Sequence, residues 1–216
     1  MLSPYTHITY DSAINYLAVR WLINTGRFAK KNKRGMRVRN VEQGIDRLMY
    51  MLKRFSKVLE VRLDSRSDRF TITDNYEFLK LFQNFIERIS YLYGECQYIW
   101  AREVGGDSDH PHYHVVLWLN GYDVSNEKQI QAIWEDIHHK RDHQRPYDWK
   151  DGPYRQARML NGIPSGTSDF AERLSYLCKL TTKGACSGGY DFGCSRLPKV
   201  KAEVIELNSE GSMHAV

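Results

Sequence analysis

The chain has 216 residues, 42% hydrophobic and 26% charged, with a formal net charge of +5. That composition excludes a disordered chain and fits one domain able to bury a full core. The basic excess favours a polyanionic partner, and no segment reaches the roughly 18 consecutive apolar residues of a membrane span.

The opening "MLSPYTHITYDS" is polar and carries no signal-peptide pattern. Cys96, Cys178, Cys186 and Cys194 show no C-x-x-C spacing, so they read as reduced thiols of a cytoplasmic protein. "SAINYLAVRWLI" is apolar enough for a short helix. "GRFAKKNKRGMRVRN" follows, with Arg27, Lys30, Lys31, Lys33, Arg34, Arg37 and Arg39. Such a run is either a solvated linker or an arm that neutralises phosphates. The expected organisation is a basic arm over 1–40, a main domain over 41–207 and a loose tail over 208–216.

Val41, Ile45, Leu48, Met49, Leu52 and Phe55 share one helical face. "VLEVRLD" then alternates with period two: Leu59, Val61 and Leu63 point one way, and Glu60, Arg62 and Asp64 the other. The polar side is expected in water or in a site. Asp74 with Glu77 predicts a capping box opening a helix to Tyr93, with Phe78, Leu81, Phe82, Phe85, Ile89 and Leu92 inward and Gly94 ending it.

"QYIWARE" (97–103) and "HYHVVLWLN" (112–120) read as a hairpin joined by "VGGDSDHP". Its simplest register sets Glu103 opposite His112, Ala101 opposite His114 and Ile99 opposite Val116. Opposed residues share a face, as do residues two apart on one strand. Glu103, His112 and His114 then converge beside the small Ala101, while Trp100 and Tyr98 turn to the core. Two imidazoles and one carboxylate leave coordination positions open on a divalent cation. H-P-H-Y-H-V-V also fits the histidine-triad pattern of nucleotide hydrolases. Pro111 suits the start of a strand, however, which puts His110 in the turn.

Ser125 is expected to cap a helix carrying Ile130, Ile133, Trp134 and Ile137. Residues 138–166 read as a long irregular stretch that is polar, basic and aromatic. A last helix is expected over about 168–182, with Phe170, Leu174 and Leu177 buried. Glu172, Tyr176, Lys179 and Lys183 fall together on its other face. "KVKAEVIEL" is a candidate final strand. Strands mixed with helices in this order predict an α+β fold: one antiparallel sheet of about five strands with flanking helices. A tyrosine hydroxyl, with a pKa of about 10, attacks phosphorus poorly unless a cation stabilises the charge.

His-hydrophobic-His on a strand, an acidic residue one strand away and Tyr-x-x-Lys on a later helix together resemble the HUH endonucleases of rolling-circle replication initiators. Within them, "REVGGDSDHPHYHVVLWLN" with "LSYLCKLTTKG" is similar to the inovirus and prophage type of replication protein. The resemblance covers roughly residues 55–195. It implies that Glu103, His112 and His114 hold Mg²⁺ or Mn²⁺, that Tyr176 attacks a DNA phosphate, and that Lys179 stabilises charge there. The expected product is a 5′-phosphotyrosine link with a free 3′-hydroxyl, reversible so that the strand is rejoined. The expected partner is single-stranded or melted DNA at a replication origin, with a host helicase and polymerase as further partners and no membrane. Arg62, Lys183, Lys30, Lys31, Lys33 and Arg34 are the expected phosphate contacts. A histidine-triad nucleotide hydrolase and a non-catalytic nucleic-acid-binding module are the alternatives.

Overall fold

The computed structural model describes residues 38–66, 70–71, 73–104, 110–124, 126–139, 154–160, 163–165, 174, 177–178 and 190–198. In chain order the elements are α1 (Val38–Arg54), β1 (Lys57–Arg66), α2 (Tyr76–Tyr93), β2 (Cys96–Glu103), β3 (His112–Asn120), α3 (Glu127–His139), β4 (Tyr154–Leu160), β5 (Ile163–Ser165) and β6 (Phe192–Cys194). The strands form one sheet in the order β5-β4-β1-β3-β2-β6, and every neighbouring pair is antiparallel. The expected α+β architecture is therefore the observed one, with two of its six described strands only three residues long.

The two faces of the sheet carry two separate cores, because alternate residues of β1, β2 and β3 are apolar in opposite phase. On one face Leu59, Val61, Leu63, Trp100, Val115 and Leu117 pack against α2 and α3, through Phe78, Phe82, Phe85, Ile89 and Trp134. On the other face Val58, Ile99, Ala101, Val116 and Trp118 pack against Ile45, Leu48 and Leu52 of α1 and against Leu174, Leu177 and Cys178. Leu174 and Leu177 are fully buried as the stripe predicts; Phe170 lies outside the described residues. The Cys178 N–H donates to the Leu174 carbonyl at 3.1 Å, the i→i−4 bond of a helical turn.

Several local expectations are corrected. The N-cap of α2 is Asn75, which makes no side-chain cap bond, and Asp74 instead accepts from the Tyr76 N–H at 2.9 Å. Asn75 is occupied elsewhere: its Oδ1 accepts from Arg102 Nη1 (3.1 Å) and from the Tyr113 hydroxyl (2.8 Å), and its Nδ2 donates to the Tyr190 carbonyl (2.7 Å). Arg102 is wholly buried, and its other terminal nitrogen, Nη2, donates to the Thr71 carbonyl at 2.8 Å. Burial of the guanidinium is tolerated because both ends of its fork find acceptors. Leu92 is 49% exposed rather than inward. In the next helix Asn126 accepts from the Gln129 N–H at 3.3 Å, and Ser125 is outside the described residues.

The stretch read as irregular contains the end of α3 and the strands β4 and β5. β4 pairs with β1 from Lys57↔Arg158 to Val61↔Tyr154. "YRQARML" has charged or polar residues on both faces, so it lacks the alternation that marks a half-buried strand. Its pairing satisfies the backbone of β1, which the sequence pattern of β4 alone does not show. β6 is too short to leave a periodic signal. The segments 1–37 and 199–216, which include all but the last three residues of the arm, the candidate final strand and the tail, lie outside the described residues; α1 takes up residues 38–40 of that expected arm.

Candidate metal centre

The hairpin has the register that alternation predicts. Glu103 pairs with His112, Ala101 with His114 and Ile99 with Val116. Glu103, His112 and His114 consequently share a face, at the end of the sheet where β2 and β3 meet their turn. Nε2 of His112 and Nε2 of His114 each lie 3.3 Å from Oε2 of Glu103. One ligand atom from each of the three residues lies within 4.8 Å of the others. The two imidazole rings stand nearly perpendicular, with centroids 5.0 Å apart.

These separations fit a cation. Ligand atoms bound about 2.1 Å from an octahedral centre stand about 3 Å apart when adjacent. Two nitrogens and a carboxylate oxygen also suit a divalent first-row ion with positions left for other ligands. Glu103 and His114 are buried and His112 is half-buried, so the cluster opens on the His112 side.

β1 completes the centre in a way the hairpin pattern does not reveal. Its polar stripe is buried: Glu60, Arg62 and Asp64 are no more than 5% exposed. Asp64 pairs with His114 across the sheet, and its Oδ1 lies 2.6 Å from His114 Nδ1. Arg62 Nη2 is 3.2 Å from the same nitrogen, and Arg62 Nε is 3.5 Å from Asp64 Oδ1. Trp118 Nε1 donates to Glu60 Oε2 at 2.9 Å, which satisfies one oxygen of that buried carboxylate. Burial lowers the His114 pKa, but hydrogen bonds to Asp64 and Glu103 outweigh it and hold the imidazole above its ordinary value. Asp64 is the site-lining residue that sequence reasoning missed as such. Its outward phase on "VLEVRLD" was visible, but the pairing of β1 with β3 was not.

His110 is set apart from this cluster. It is exposed, and its Nδ1 is 3.3 Å from the carbonyl of Phe70, whose ring belongs to the opposite core. Arg62, expected to contact phosphate, is buried beside Asp64 and His114. Tyr176, Lys179, Lys183, Lys30, Lys31, Lys33 and Arg34 lie outside the described residues. The flanking Leu174, Leu177 and Cys178, however, pack on the sheet face that bears the two histidines.

The fold is an α+β sheet whose central hairpin gathers two imidazoles and a carboxylate into a group that could hold a metal ion at one end of the sheet. The family of replication-associated proteins of the ORF2 type matches residues 25–185, and the chain belongs to that family, which is of the rolling-circle initiator type. The match takes in the whole basic N-terminal stretch that begins at Gly26, ahead of the first described helix. No curated protein and no solved structure matches the chain.

Proposed function

We propose that this chain nicks and rejoins single-stranded DNA at a replication origin through Tyr176, using a divalent cation held by Glu103, His112 and His114. The observation that carries the proposal is the convergence of those three side chains on the face that also receives Leu174 and Leu177, the neighbours of Tyr176 in sequence. A bound Mg²⁺ or Mn²⁺ supplies Lewis-acid polarisation of the scissile phosphate and offsets its charge.

The Tyr176 oxygen attacks phosphorus, the bond to the 3′ oxygen breaks, and that oxygen leaves as a 3′-hydroxyl after taking a proton. The phosphodiester is thereby exchanged for a phosphotyrosine ester of similar energy, so a later 3′-hydroxyl reverses the step. Lys179, three residues from Tyr176 in sequence, stabilises negative charge on the tyrosine or the phosphate. The basic residues of the N-terminal arm and Lys183 hold the backbone. The free 3′-hydroxyl serves as a primer for a host polymerase, on a strand opened by a host helicase.

The test is incubation with end-labelled single-stranded DNA carrying the cognate origin sequence and Mn²⁺, resolved on a denaturing gel. A shortened strand together with a protein-linked strand supports the proposal. Cleavage in excess EDTA, or cleavage without linkage to protein, refutes it.

A further inference from the structure

We infer that Asp64 is a positioning residue for the metal centre: it selects the tautomer of His114 that can bind a cation, against a competing donor, Arg62. This inference rests on the proposed metal site and extends it to the strand next to the hairpin.

His114 is flanked unequally in the sheet. On the β2 side its partner is Ala101, which leaves the ring free to lean toward Glu103. On the β1 side its partner is Asp64, which reaches Nδ1 at 2.6 Å. The same nitrogen has a second neighbour, Arg62 Nη2 at 3.2 Å. These two neighbours demand opposite things. A carboxylate only accepts, so it requires a proton on Nδ1; a guanidinium only donates, so it requires a lone pair there.

The shorter contact decides between them. A carboxylate at 2.6 Å from Nδ1 makes the charge-assisted bond, and the proton belongs on Nδ1. In a neutral imidazole the other nitrogen then carries the lone pair. That nitrogen, Nε2, lies 3.3 Å from Glu103 Oε2 within the cluster; this contact is longer than the 2.6 Å to Asp64, so Glu103 is the weaker claimant on the proton of the metal-free ring. Asp64 therefore points the donor electrons of His114 into the metal site.

Among the described residues, two groups hold Asp64. Arg62 Nε stands 3.5 Å from its Oδ1. The Trp134 indole of α3 donates to its backbone carbonyl at 3.0 Å from the other face of the sheet. Asp64 is thus held at its carboxylate by Arg62 and at its backbone by Trp134, neither of them in the ligand set, which is how an outer-shell acceptor tunes a ligating histidine.

Asp64→Asn separates the two neighbours of Nδ1. An asparagine has the same shape, but its amide can either accept or donate. With the carboxylate gone, the Arg62 guanidinium becomes the stronger influence on Nδ1 and draws the lone pair there. The proton moves to Nε2, and His114 can no longer ligate without losing it.

The experiment is two-dimensional long-range ¹H–¹⁵N NMR of ¹⁵N-histidine-labelled, metal-free full-length protein at alkaline pH, alongside Mn²⁺ titration calorimetry. Wild-type His114 is expected with its proton on Nδ1, and Asp64→Asn with its proton on Nε2. Mn²⁺ affinity is expected to fall about tenfold to a hundredfold in Asp64→Asn. Adding Arg62→Gln to Asp64→Asn is expected to restore part of both the tautomer and the affinity, an outcome that a merely structural role for Asp64 does not produce. Unchanged Mn²⁺ affinity in Asp64→Asn, with His114→Ala strongly weakened, overturns the role of Asp64 and leaves the metal site standing. Unchanged affinity in His114→Ala overturns the metal site itself. Should Asp64→Asn fail to fold, the wild-type spectrum decides, because a proton on Nε2 of His114 contradicts the proposal.

Discussion

Leu174 is seated on Gly44 of α1 so closely that a Cβ at residue 44 would lie 2.7 Å from Leu174 Cδ2 and 3.1 Å from Cδ1. The glycine is inside a helix, where it costs about 1 kcal/mol relative to alanine, so close packing gives it a physical purpose. Gly44→Ala is expected to raise the intrinsic stability of α1 while pushing Leu174 away from it. Adduct formation on DNA should then slow. Mn²⁺ affinity should not change, because the new methyl crowds Leu174 most closely and reaches Ile99 of the hairpin at an ordinary 3.5 Å. Leu174→Val in the Gly44→Ala background should recover part of the rate by removing the obstructing carbon. Single-turnover nicking kinetics and Mn²⁺ titration of the three proteins check this. An unaltered rate in Gly44→Ala would show that Leu174 adapts without moving its helix.

On the proposed function, cation binding depends on the hairpin. His112→Ala and His114→Ala should each abolish nicking, and Glu103→Ala should weaken metal binding so that added Mn²⁺ partly restores activity. The two histidines differ in what else they support. His114→Ala leaves the buried Asp64 carboxylate without one of its hydrogen bonds and should cost about 1–3 kcal/mol of stability, whereas half-buried His112 should cost less. Acid should oppose the metal. His114 holds its proton to higher pH than an ordinary histidine, and a doubly protonated ring offers no lone pair, so Mn²⁺ affinity should climb as pH rises through that elevated value. Calorimetric titration across pH, with thermal melts of the variants, measures both effects.

His110 should be dispensable for cation binding. Its ring faces the Phe70 carbonyl, and the group of three ligand atoms does not include it. His110→Ala is therefore expected to keep most of its nicking rate. Loss as complete as that of His112→Ala would make His110 a catalytic group and revive a histidine-triad reaction.

The part of this centre that was legible in the sequence is the part written within one hairpin. Alternation on "QYIWARE" and "HYHVVLWLN", with an apolar phase on Trp100, Val115 and Leu117, left one register that buried both cores. The long turn could have allowed a slip, but a shift of one residue would have placed Glu103 among the aromatic side chains of α2. Asp64 was illegible as a site residue for a different reason. Which strand lies beside β3 is a question of topology, and β1 is separated from it by the whole of α2 and β2. β4 was missed because its residues carry no apolar phase, and the helix start was displaced because Asp74 and Asn75 are both good capping types. The role of Gly44 depends on a contact with Leu174, on the far side of the sequence, and no local pattern announces it.

The basic stretch near the start of the family match should carry part of the DNA affinity. Each phosphate contact on single-stranded DNA contributes about 0.7 to the slope of log affinity against log salt. Neutralising Lys30, Lys31, Lys33 and Arg34 together should flatten that slope by up to about 3. Fluorescence anisotropy across a salt series reads the slope directly, and an unchanged value would assign the run to solvent.

The identity of the attacking group is the centre of the account, and peptide mapping of the covalent DNA adduct tests it most directly. The protein is incubated with cognate single-stranded DNA and Mn²⁺, digested with protease and nuclease, and the nucleotide-bearing peptide is sequenced by mass spectrometry. A 5′-phosphate ester on Tyr176 is expected, and no adduct from Tyr176→Phe although that variant still binds DNA and Mn²⁺. A nucleotide on Tyr190, which is exposed and whose carbonyl is bonded to Asn75, would contradict the choice of nucleophile. An acid-labile adduct on a histidine would contradict the reaction class.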